Sequence, residues 1–249
     1  MTDLELLIDL HVRNDRQGPG GDDETQRAID IARLDRQRPL HVADIGCGCG
    51  ASSLVLATSL NAHVTAVDAA PPFIERVGRR AAAAGVADRI DSIVGDMTVL
   101  PFEEGQLDAI WSEGAIYNMG FEAGLRSWQK HLRPGGIIAV SELTWTTAQR
   151  PPDVEDHWTR EYPAITTASS NMRTIEDLGY EPLGMFFLDR HCWETNYYAP
   201  LAAQFPGFIE RHAESDTAMQ IVAEHETEID LYRRHGGWFS YGFFIARRT

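Results

Sequence analysis

The sequence has few basic residues, and this limits the partners that we consider. Lys and Arg total 22 against 37 Asp and Glu, which gives a formal net charge of −15. The average field of such a surface repels phosphate backbones, so nucleic acid is a poor candidate partner. The densest basic run, RVGRR at 76–80, is interpreted as the solvated face of a helix.

Cysteines are also scarce, and long apolar runs are missing. Cys47, Cys49 and Cys192 are odd in number and lack the spacing of a disulfide framework, which is typical of a reducing compartment. No apolar run approaches the roughly 18 residues of a membrane span. The first residues, MTDLELLIDL, are acidic and do not resemble a signal peptide. We therefore predict a cytoplasmic protein without a membrane partner.

What the chain does contain is a regular alternation of segments typical of strands and of helices. With 249 residues and 43% hydrophobic content, it can bury one sizeable core. The predicted strands are 41–45, 63–68, 90–96, 107–113 and 136–142, and the predicted helices are 22–34, 51–60, 71–85 and 124–132. Strands and helices that alternate at short spacing predict a parallel sheet with helices on both faces.

The pattern changes after residue 142. Residues 144–170 look irregular and aromatic-rich, and a helix at 171–180 and a strand at 181–189 follow. Residues 194–235 are predicted to be mostly helical, and the chain closes with an aromatic-rich strand over 237–248. We interpret this half as the rest of the sheet with an inserted helical cap. The last strand either pairs between the subunits of a homodimer or lies inside the sheet.

A glycine turn follows the first predicted strand. In HVADIGCGCG, residues 41–50, glycines stand at 46, 48 and 50, and Asp44 precedes the first of them by two residues. A strand that runs through glycines into a helix brings backbone N–H groups and a positive helix end to one place. Glycine is needed where a side chain would collide with a ligand on the main chain. Dinucleotides and S-adenosylmethionine are the two ligand classes that fit this arrangement.

The spacing within the turn favours the second class. A dinucleotide turn has the pattern G-x-G-x-x-G, whereas here Gly50 follows Gly48 after one residue and position 51 is Ala. Asp44 would oppose a pyrophosphate but suits a ligand that carries an ammonium group. A nicotinamide-dependent oxidoreductase and a non-catalytic S-adenosylmethionine-binding sensor stay as alternatives.

The segment VADIGCGCG resembles the first motif of class I S-adenosylmethionine-dependent methyltransferases. The resemblance implies that Asp44 faces the methionine end of the cofactor, which lies along Gly46, Gly48 and Gly50. We therefore expect a Rossmann-like α/β fold: a doubly wound, mostly parallel seven-stranded sheet with an antiparallel last strand and a helical cap insertion. In-line methyl transfer to a small molecule would be the reaction.

The resemblance also assigns cofactor contacts at the ends of the second and third strands. Asp68 would bind the ribose hydroxyls beside Ala69, and Asp96 would take the adenine amino group, with Met97 packed on the ring. Alternatively, Asp68 and Asp96 merely cap the helices that follow. LRPGG at 132–136 resembles the turn before the fifth strand of that family.

The segment RQGPGG, residues 16–21, precedes the first predicted helix. By resemblance it folds over the cofactor, with Arg16 or Gln17 reaching the methionine carboxylate and Gly18 beside them. A plain N-terminal loop is the other interpretation. We expect a single domain, 1–249, with an N-terminal lid and helix (1–40), a cofactor-binding half (41–142) and an acceptor half (143–249) whose helical insertion covers about 190–236.

A closer resemblance, to a group of bacterial small-molecule methyltransferases, rests on SEGAIYN (112–118) together with RQGPGG and AVSELTW (139–145). The transferred methyl group should project past the end of the fourth strand, where Glu113 either contacts the charged end of the cofactor or acts on the acceptor, unless it is only a helix N-cap. Tyr117 would line the acceptor pocket or lie in the core, and Glu142 would contact the acceptor. The Asn-Pro-Pro-aromatic signature of base and amide methylation is absent, which favours a small diffusible acceptor.

Two further patterns complete the sequence analysis. The aromatic segment CWETNYY, 192–198, either roofs the acceptor pocket or packs the cap on the core. Cys47-x-Cys49 lies inside the turn, where alternate residues point in opposite senses, and the histidines show no ligand spacing. We therefore expect no metal site.

Overall fold

The computed structural model describes residues 1–249, and its centre is one β-sheet. The strands are β1 (Leu40–Ile45), β2 (Ala62–Asp68), β3 (Ile90–Val94), β4 (Leu107–Ser112), β5 (Leu132–Trp145), β6 (Thr166–Thr167), β7 (Tyr180–Phe187) and β8 (Phe239–Arg248). Their order is β3-β2-β1-β4-β5-β8-β7, and the two-residue β6 pairs only with β5. Strands β1 to β5 pair in parallel, while β8 is antiparallel to both β5 and β7. The predicted Rossmann-like sheet with an antiparallel last strand is confirmed.

Helices cover both faces of the sheet. They are α1 (Asp3–His11), α2 (Asp22–Ala32), α3 (Ala51–Ser59), α4 (Pro71–Ala83), α5 (Phe121–Trp128), α6 (Pro152–Glu161), α7 (Ala168–Asp177), α8 (Arg190–Trp193), α9 (Ala199–Arg211) and α10 (Asp216–His235). The larger core cluster packs α1 to α4, α9 and α10 on one face. The smaller cluster packs α5 and α7 on the other. No helix is both long and apolar enough to cross a bilayer.

Two local predictions were wrong. The segment 144–170 is not irregular, because α6 begins there after Pro151, with acidic residues in its first turn, and buries Val154 and Trp158. Only these two apolar positions mark its buried face, so the periodic signal is weak. Strand β5 is also longer than predicted: it begins at Leu132, and its register against β4 shifts before Ile137, so the RPGG turn is an irregularity within the strand.

The final strand lies inside the sheet rather than at its edge. Because β8 is hydrogen-bonded to β5 on one side and β7 on the other, its backbone cannot pair with a second copy of the chain. This removes the strand-pairing route to a homodimer, and the dimer itself stays a prediction.

Candidate active site

The glycine turn lies at the carboxyl edge of the sheet, between β1 and α3. Gly46, Gly48 and Gly50 have φ angles of 71°, 53° and 79°, which residues with a Cβ rarely adopt. A Cβ added to Gly46 would lie 2.3 Å from the Cβ of Ala115, across the end of β4. The sequence thus has a residue without a Cβ where the ends of β1 and β4 meet.

A cavity of about 510 Å³ opens above this turn, over the ends of β1, β2 and β4. The predicted site residues on its wall are Gln17, Gly18, Gly46, Gly48, Asp68, Ala69, Asp96, Met97, Glu113 and Tyr117. Asp44, Gly50 and Glu142 do not line it. Most of the residues singled out from the sequence therefore surround one space, although their roles stay predictions.

Asp68 connects the end of β2 to the glycine turn. Its Oδ2 accepts a hydrogen bond from the Gly48 N–H at 2.9 Å, and its Oδ1 accepts one from the Ala70 N–H at 2.9 Å. Burial raises the pKa of this carboxyl, and the hydrogen bonds from these backbone donors offset part of that rise. The carboxylate is held on the cavity wall by donors that fix both of its oxygens.

Asp96 lies in the loop after β3 and forms a local turn. Its Oδ1 accepts hydrogen bonds from the Thr98 N–H at 2.8 Å and the Thr98 hydroxyl at 2.7 Å, and these donors lower the pKa of the carboxyl. The Asp96 Oδ2 has no such partner, so one oxygen is left for a ligand in the cavity.

Asp44 lies beneath the turn and is completely buried. Its Oδ2 accepts hydrogen bonds from the hydroxyls of Ser52 at 2.7 Å and Ser53 at 2.6 Å, and its Oδ1 has no partner. Burial raises the pKa of Asp44 to about 7. The residue fastens the first turn of α3 to β1, and its contact with the cofactor stays a prediction.

Gln17 joins the N-terminal loop to the glycine turn. Its Oε1 accepts a hydrogen bond from the Cys49 N–H at 2.7 Å, and its Nε2 donates to the carbonyls of Asn14 at 2.8 Å and His11 at 3.2 Å. A Cβ on Gly48 would lie 2.3 Å from that same Oε1. The loop that precedes α2 therefore covers the turn.

Glu113 is the point at which three parts of the chain meet. It accepts hydrogen bonds from Arg16 Nη1 at 3.1 Å, Thr25 Oγ1 at 2.7 Å and Trp111 Nε1 at 2.9 Å. The Arg16 and Glu113 side chains are only 11% and 8% exposed. Sequence reasoning missed Thr25 and Trp111 because neither stands in a motif. Glu113 thus reaches the cavity wall with its charge already paired.

Tyr117 and Glu142 differ in accessibility. Tyr117 is 42% exposed, so it is not a core residue, and its ring meets that of Tyr162 edge-on at 6.0 Å. Glu142 is 2% exposed, and neither of its oxygens has a hydrogen-bond partner of normal geometry. Burial raises the pKa of Glu142 to about 7. The nearby Tyr162 hydroxyl and the backbone of Leu143 lower this pKa and so offset part of the rise.

We expect Glu142→Gln to stabilise the protein above pH 7. The pKa of about 7 lies above the ordinary 4.5, so the folded state keeps a proton that the unfolded chain loses, and this group's contribution to stability falls as the pH rises between those values. Removing the buried charge should increase the free energy of unfolding at pH 8 by about 2 kcal/mol.

Urea denaturation of both proteins at pH 5 and pH 8 measures this effect, with Glu104→Gln, an exposed carboxylate, as the control. The gain should appear at pH 8 and be nearly absent at pH 5. An equal gain at both values would show that the charge of Glu142 is not the cause.

A second, smaller cavity of about 240 Å³ adjoins the first. Gln17, Gly18, Pro19, Gly114 and Tyr117 line both cavities. The aromatic segment 192–198 is predicted either to roof a pocket or to pack the cap on the core, and its residues take part in both. Trp193 and Tyr197 line the smaller cavity, and Trp193 also stacks on Tyr232 of α10 with ring centres 4.6 Å apart.

One group of side chains with metal-ligand chemistry lies apart from the turn. The ligand atoms of Glu24, His191 and Cys192 lie within 4.8 Å of one another, although they show no ligand spacing in the sequence. Burial beside Glu24 raises the pKa of the Cys192 thiol well above its ordinary value, which opposes the thiolate that a metal needs. Cys47 and Cys49 are buried free thiols.

The fold is Rossmann-like, and comparisons with known proteins find similarity to methyltransferases. Residues 42–136 match a family model described as a methyltransferase domain. The chain is 33% identical over 124 residues to malonyl-[acyl-carrier protein] O-methyltransferase of Dechloromonas aromatica, covering 48% of this chain and 44% of that protein. It is 26% identical over 221 residues to 27-O-demethylrifamycin SV methyltransferase of Amycolatopsis mediterranei, covering 85% and 78%.

Among solved structures, an S-adenosylmethionine-dependent methyltransferase from Geobacter sulfurreducens in complex with S-adenosyl-L-homocysteine superposes with a TM-score of 0.84 at 21% identity, covering 98% of each chain. The chain spans less than half the length of the first curated relatives that it matches. Together these matches support the resemblance of the sequence to class I methyltransferases. They do not test the closer resemblance carried by SEGAIYN.

Proposed function

We propose that this protein transfers a methyl group from S-adenosylmethionine to a small-molecule acceptor. The observation that carries the proposal is the joint placement of a bare glycine turn at the end of β1 and the Asp68 carboxylate at the end of β2 on the wall of one cavity. This is the carboxyl edge of a doubly wound sheet, where ligands of this fold class bind.

The residues present fit the cofactor. Gly46 and Gly48 line the cavity with backbone that carries no side chain, so a ligand can approach the main chain there. Asp68 offers a carboxylate for ribose hydroxyls, and Asp96 with Met97 offers an acceptor and an apolar surface for adenine. Asp44 and Asp96 each keep one oxygen without a protein partner.

S-adenosylmethionine supplies an electrophilic methyl group on a sulfonium, and the protein has to position the reactants and exclude water. The chain provides both means. Gln17 seals the N-terminal loop on the turn, and the buried Arg16–Glu113 pair fixes the cavity wall between loop and sheet. The smaller cavity shares lining residues with the larger one, and we assign the acceptor to it.

The relatives' names support a small acceptor, since one of them is a rifamycin methyltransferase. The net charge of −15 disfavours nucleic acid. The small number of cysteines supports the cytoplasm as its location.

Ligand-induced thermal stabilisation tests the proposal. S-adenosylmethionine and S-adenosylhomocysteine should each raise the melting temperature, by the equivalent of about 2.7 kcal/mol at one hundred times Kd. Stabilisation by NAD(H) and not by S-adenosylmethionine would instead indicate an oxidoreductase. Release of S-adenosylhomocysteine with a panel of amine, thiol, hydroxyl and activated-carbon acceptors then separates an enzyme from a sensor, which would not exceed the background rate.

A further inference from the structure

The smaller cavity has an unusual lining for a pocket beside a cofactor. Six of its thirteen lining residues are aromatic: Tyr117, Trp158, Tyr162, Trp193, Tyr197 and Tyr241. Its two charged residues, Glu161 and Glu228, are both acidic, and no Lys, Arg or His lines it. Aromatic faces and carboxylates together attract cations and repel anions.

Several polar atoms around this cavity lack partners. The indole Nε1 of Trp158, a side chain that is 8% exposed, has no hydrogen-bond acceptor, and the Tyr162 hydroxyl has no partner either. Buried polar groups are normally satisfied, so unpaired ones on residues that line a cavity are consistent with a ligand that has polar atoms of its own.

Glu228 is the carboxylate best placed to recognise a charge. It projects from α10, and its Oε1 accepts a hydrogen bond from the Tyr198 hydroxyl at 2.8 Å, which leaves Oε2 free. Burial raises its pKa, whereas the Tyr198 hydroxyl and nearby His225 act in the opposite direction. Glu161, at the end of α6, is half exposed and already paired with Arg160 at 2.9 Å, so Glu228 is the carboxylate of this cavity without a cationic partner.

From these contacts we infer that the acceptor is a small organic amine, bound as its ammonium ion in the aromatic cavity with Glu228 as the counter-charge. This inference rests on the proposed methyl transfer and specifies its substrate class. The cavity, at about 240 Å³, has room for roughly eight water molecules at ~30 Å³ each, which suits a small amine and excludes a peptide. Phenolates and carboxylates would meet only negative charge.

The amine must lose a proton before it reacts. That proton passes to Glu228, and the nitrogen lone pair then forms the bond to the methyl carbon while the electron pair of the broken carbon–sulfur bond stays on sulfur. The products are a methylated ammonium ion and S-adenosylhomocysteine. A carboxylate whose pKa is raised by burial is a better base than an exposed one.

Calorimetric titration of the protein loaded with S-adenosylhomocysteine tests this substrate class. The probes are benzylamine, benzyltrimethylammonium, benzyl alcohol and benzoate, which share a ring and differ in charge. Both cations should bind at least about tenfold more tightly than the alcohol, and benzoate should not bind measurably. With S-adenosylmethionine in place of the homocysteine, mass spectrometry should detect methylated benzylamine. Equal affinities across the series would overturn the inference, as would the absence of cation binding at millimolar concentration.

Glu228→Gln identifies the counter-charge. The amide oxygen keeps an acceptor for Tyr198, so the fold should persist, and unchanged binding of S-adenosylhomocysteine would verify it. Cation affinity should fall about tenfold. Glu226→Gln, an exposed carboxylate on the same helix, is the matched control and should change neither affinity. If S-adenosylhomocysteine itself fails to bind to the unmodified protein, the proposed function fails; if it binds and Glu228→Gln leaves cation affinity unchanged, only this inference fails.

Discussion

We expect Gly46→Val to weaken the binding of S-adenosylmethionine by about 100-fold or more. A side chain at this position, where φ is 71°, is strained, and its Cβ would lie 2.3 Å from the Cβ of Ala115. Gly46 and Ala115 both line the larger cavity, so the rearrangement that relieves this collision would change the wall of the proposed cofactor site. Isothermal titration calorimetry measures the loss, and Gly78→Ala, where a Cβ meets nothing within 4 Å, is the glycine control.

A second variant separates loss of the fold from loss of the site. Gly46→Ala combined with Ala115→Gly removes the collision within the protein but keeps a methyl group on the turn. The double variant should show the circular dichroism of the folded protein and still bind the cofactor weakly. Full affinity in that variant would show that the cofactor does not lie on Gly46.

The second large effect concerns the buried ion pair behind the cavity wall. Glu113→Ala should lower the free energy of unfolding by about 4 kcal/mol, because it leaves the guanidinium of Arg16, 11% exposed, without its buried partner. Trp111 loses its acceptor at the same time, whereas the Thr25 hydroxyl keeps the carbonyl of Gly21. The remaining contact of Arg16, with Asp22, is solvent-exposed on the carboxylate side.

Urea denaturation at neutral pH measures this cost. The matched control is Glu122→Ala, which removes an exposed ion pair with Arg126 within α5 and should change stability by less than about 0.5 kcal/mol. A loss from Glu113→Ala as small as that of the control would show that the pair adds nothing to the fold. Glu113 would then be free to act on ligands alone.

The sequence predicts best what is local. The glycines at 46, 48 and 50 stand in one short stretch, and Asp68 follows a strand whose alternation is plain, so their meeting at one sheet edge follows from parallel topology. The RQGPGG segment is predicted to fold over the cofactor or to be a plain loop; in the structure Gln17 Oε1 accepts a hydrogen bond from the Cys49 N–H of the glycine turn, and the contact with the cofactor stays a prediction.

What the sequence does not predict is contact between distant segments. Glu228 approaches the cavity from α10, and Tyr162 lies close to Glu142 only because α6 turns back over the end of β5. Such pairs have no spacing or periodicity that marks them, since they are created by how the helical segments pack on the sheet. Thr25, which binds Glu113 from α2, belongs to the same class.

The N-terminal segment is held by residues far along the chain, at 196–212, and this bears on the protein's synthesis. Asp9 of α1 accepts hydrogen bonds from Arg211 and His212, and the carbonyl of Gly20 accepts one from Asn196. A nascent chain that has left the ribosome only as far as β5 already possesses the glycine turn and the partners of Arg16 and Gln17, but α1 still lacks its partners Arg211 and His212, and Gly20 lacks Asn196. Binding competence should therefore arise late in translation, when α9 and α10 emerge and capture the N-terminal helix.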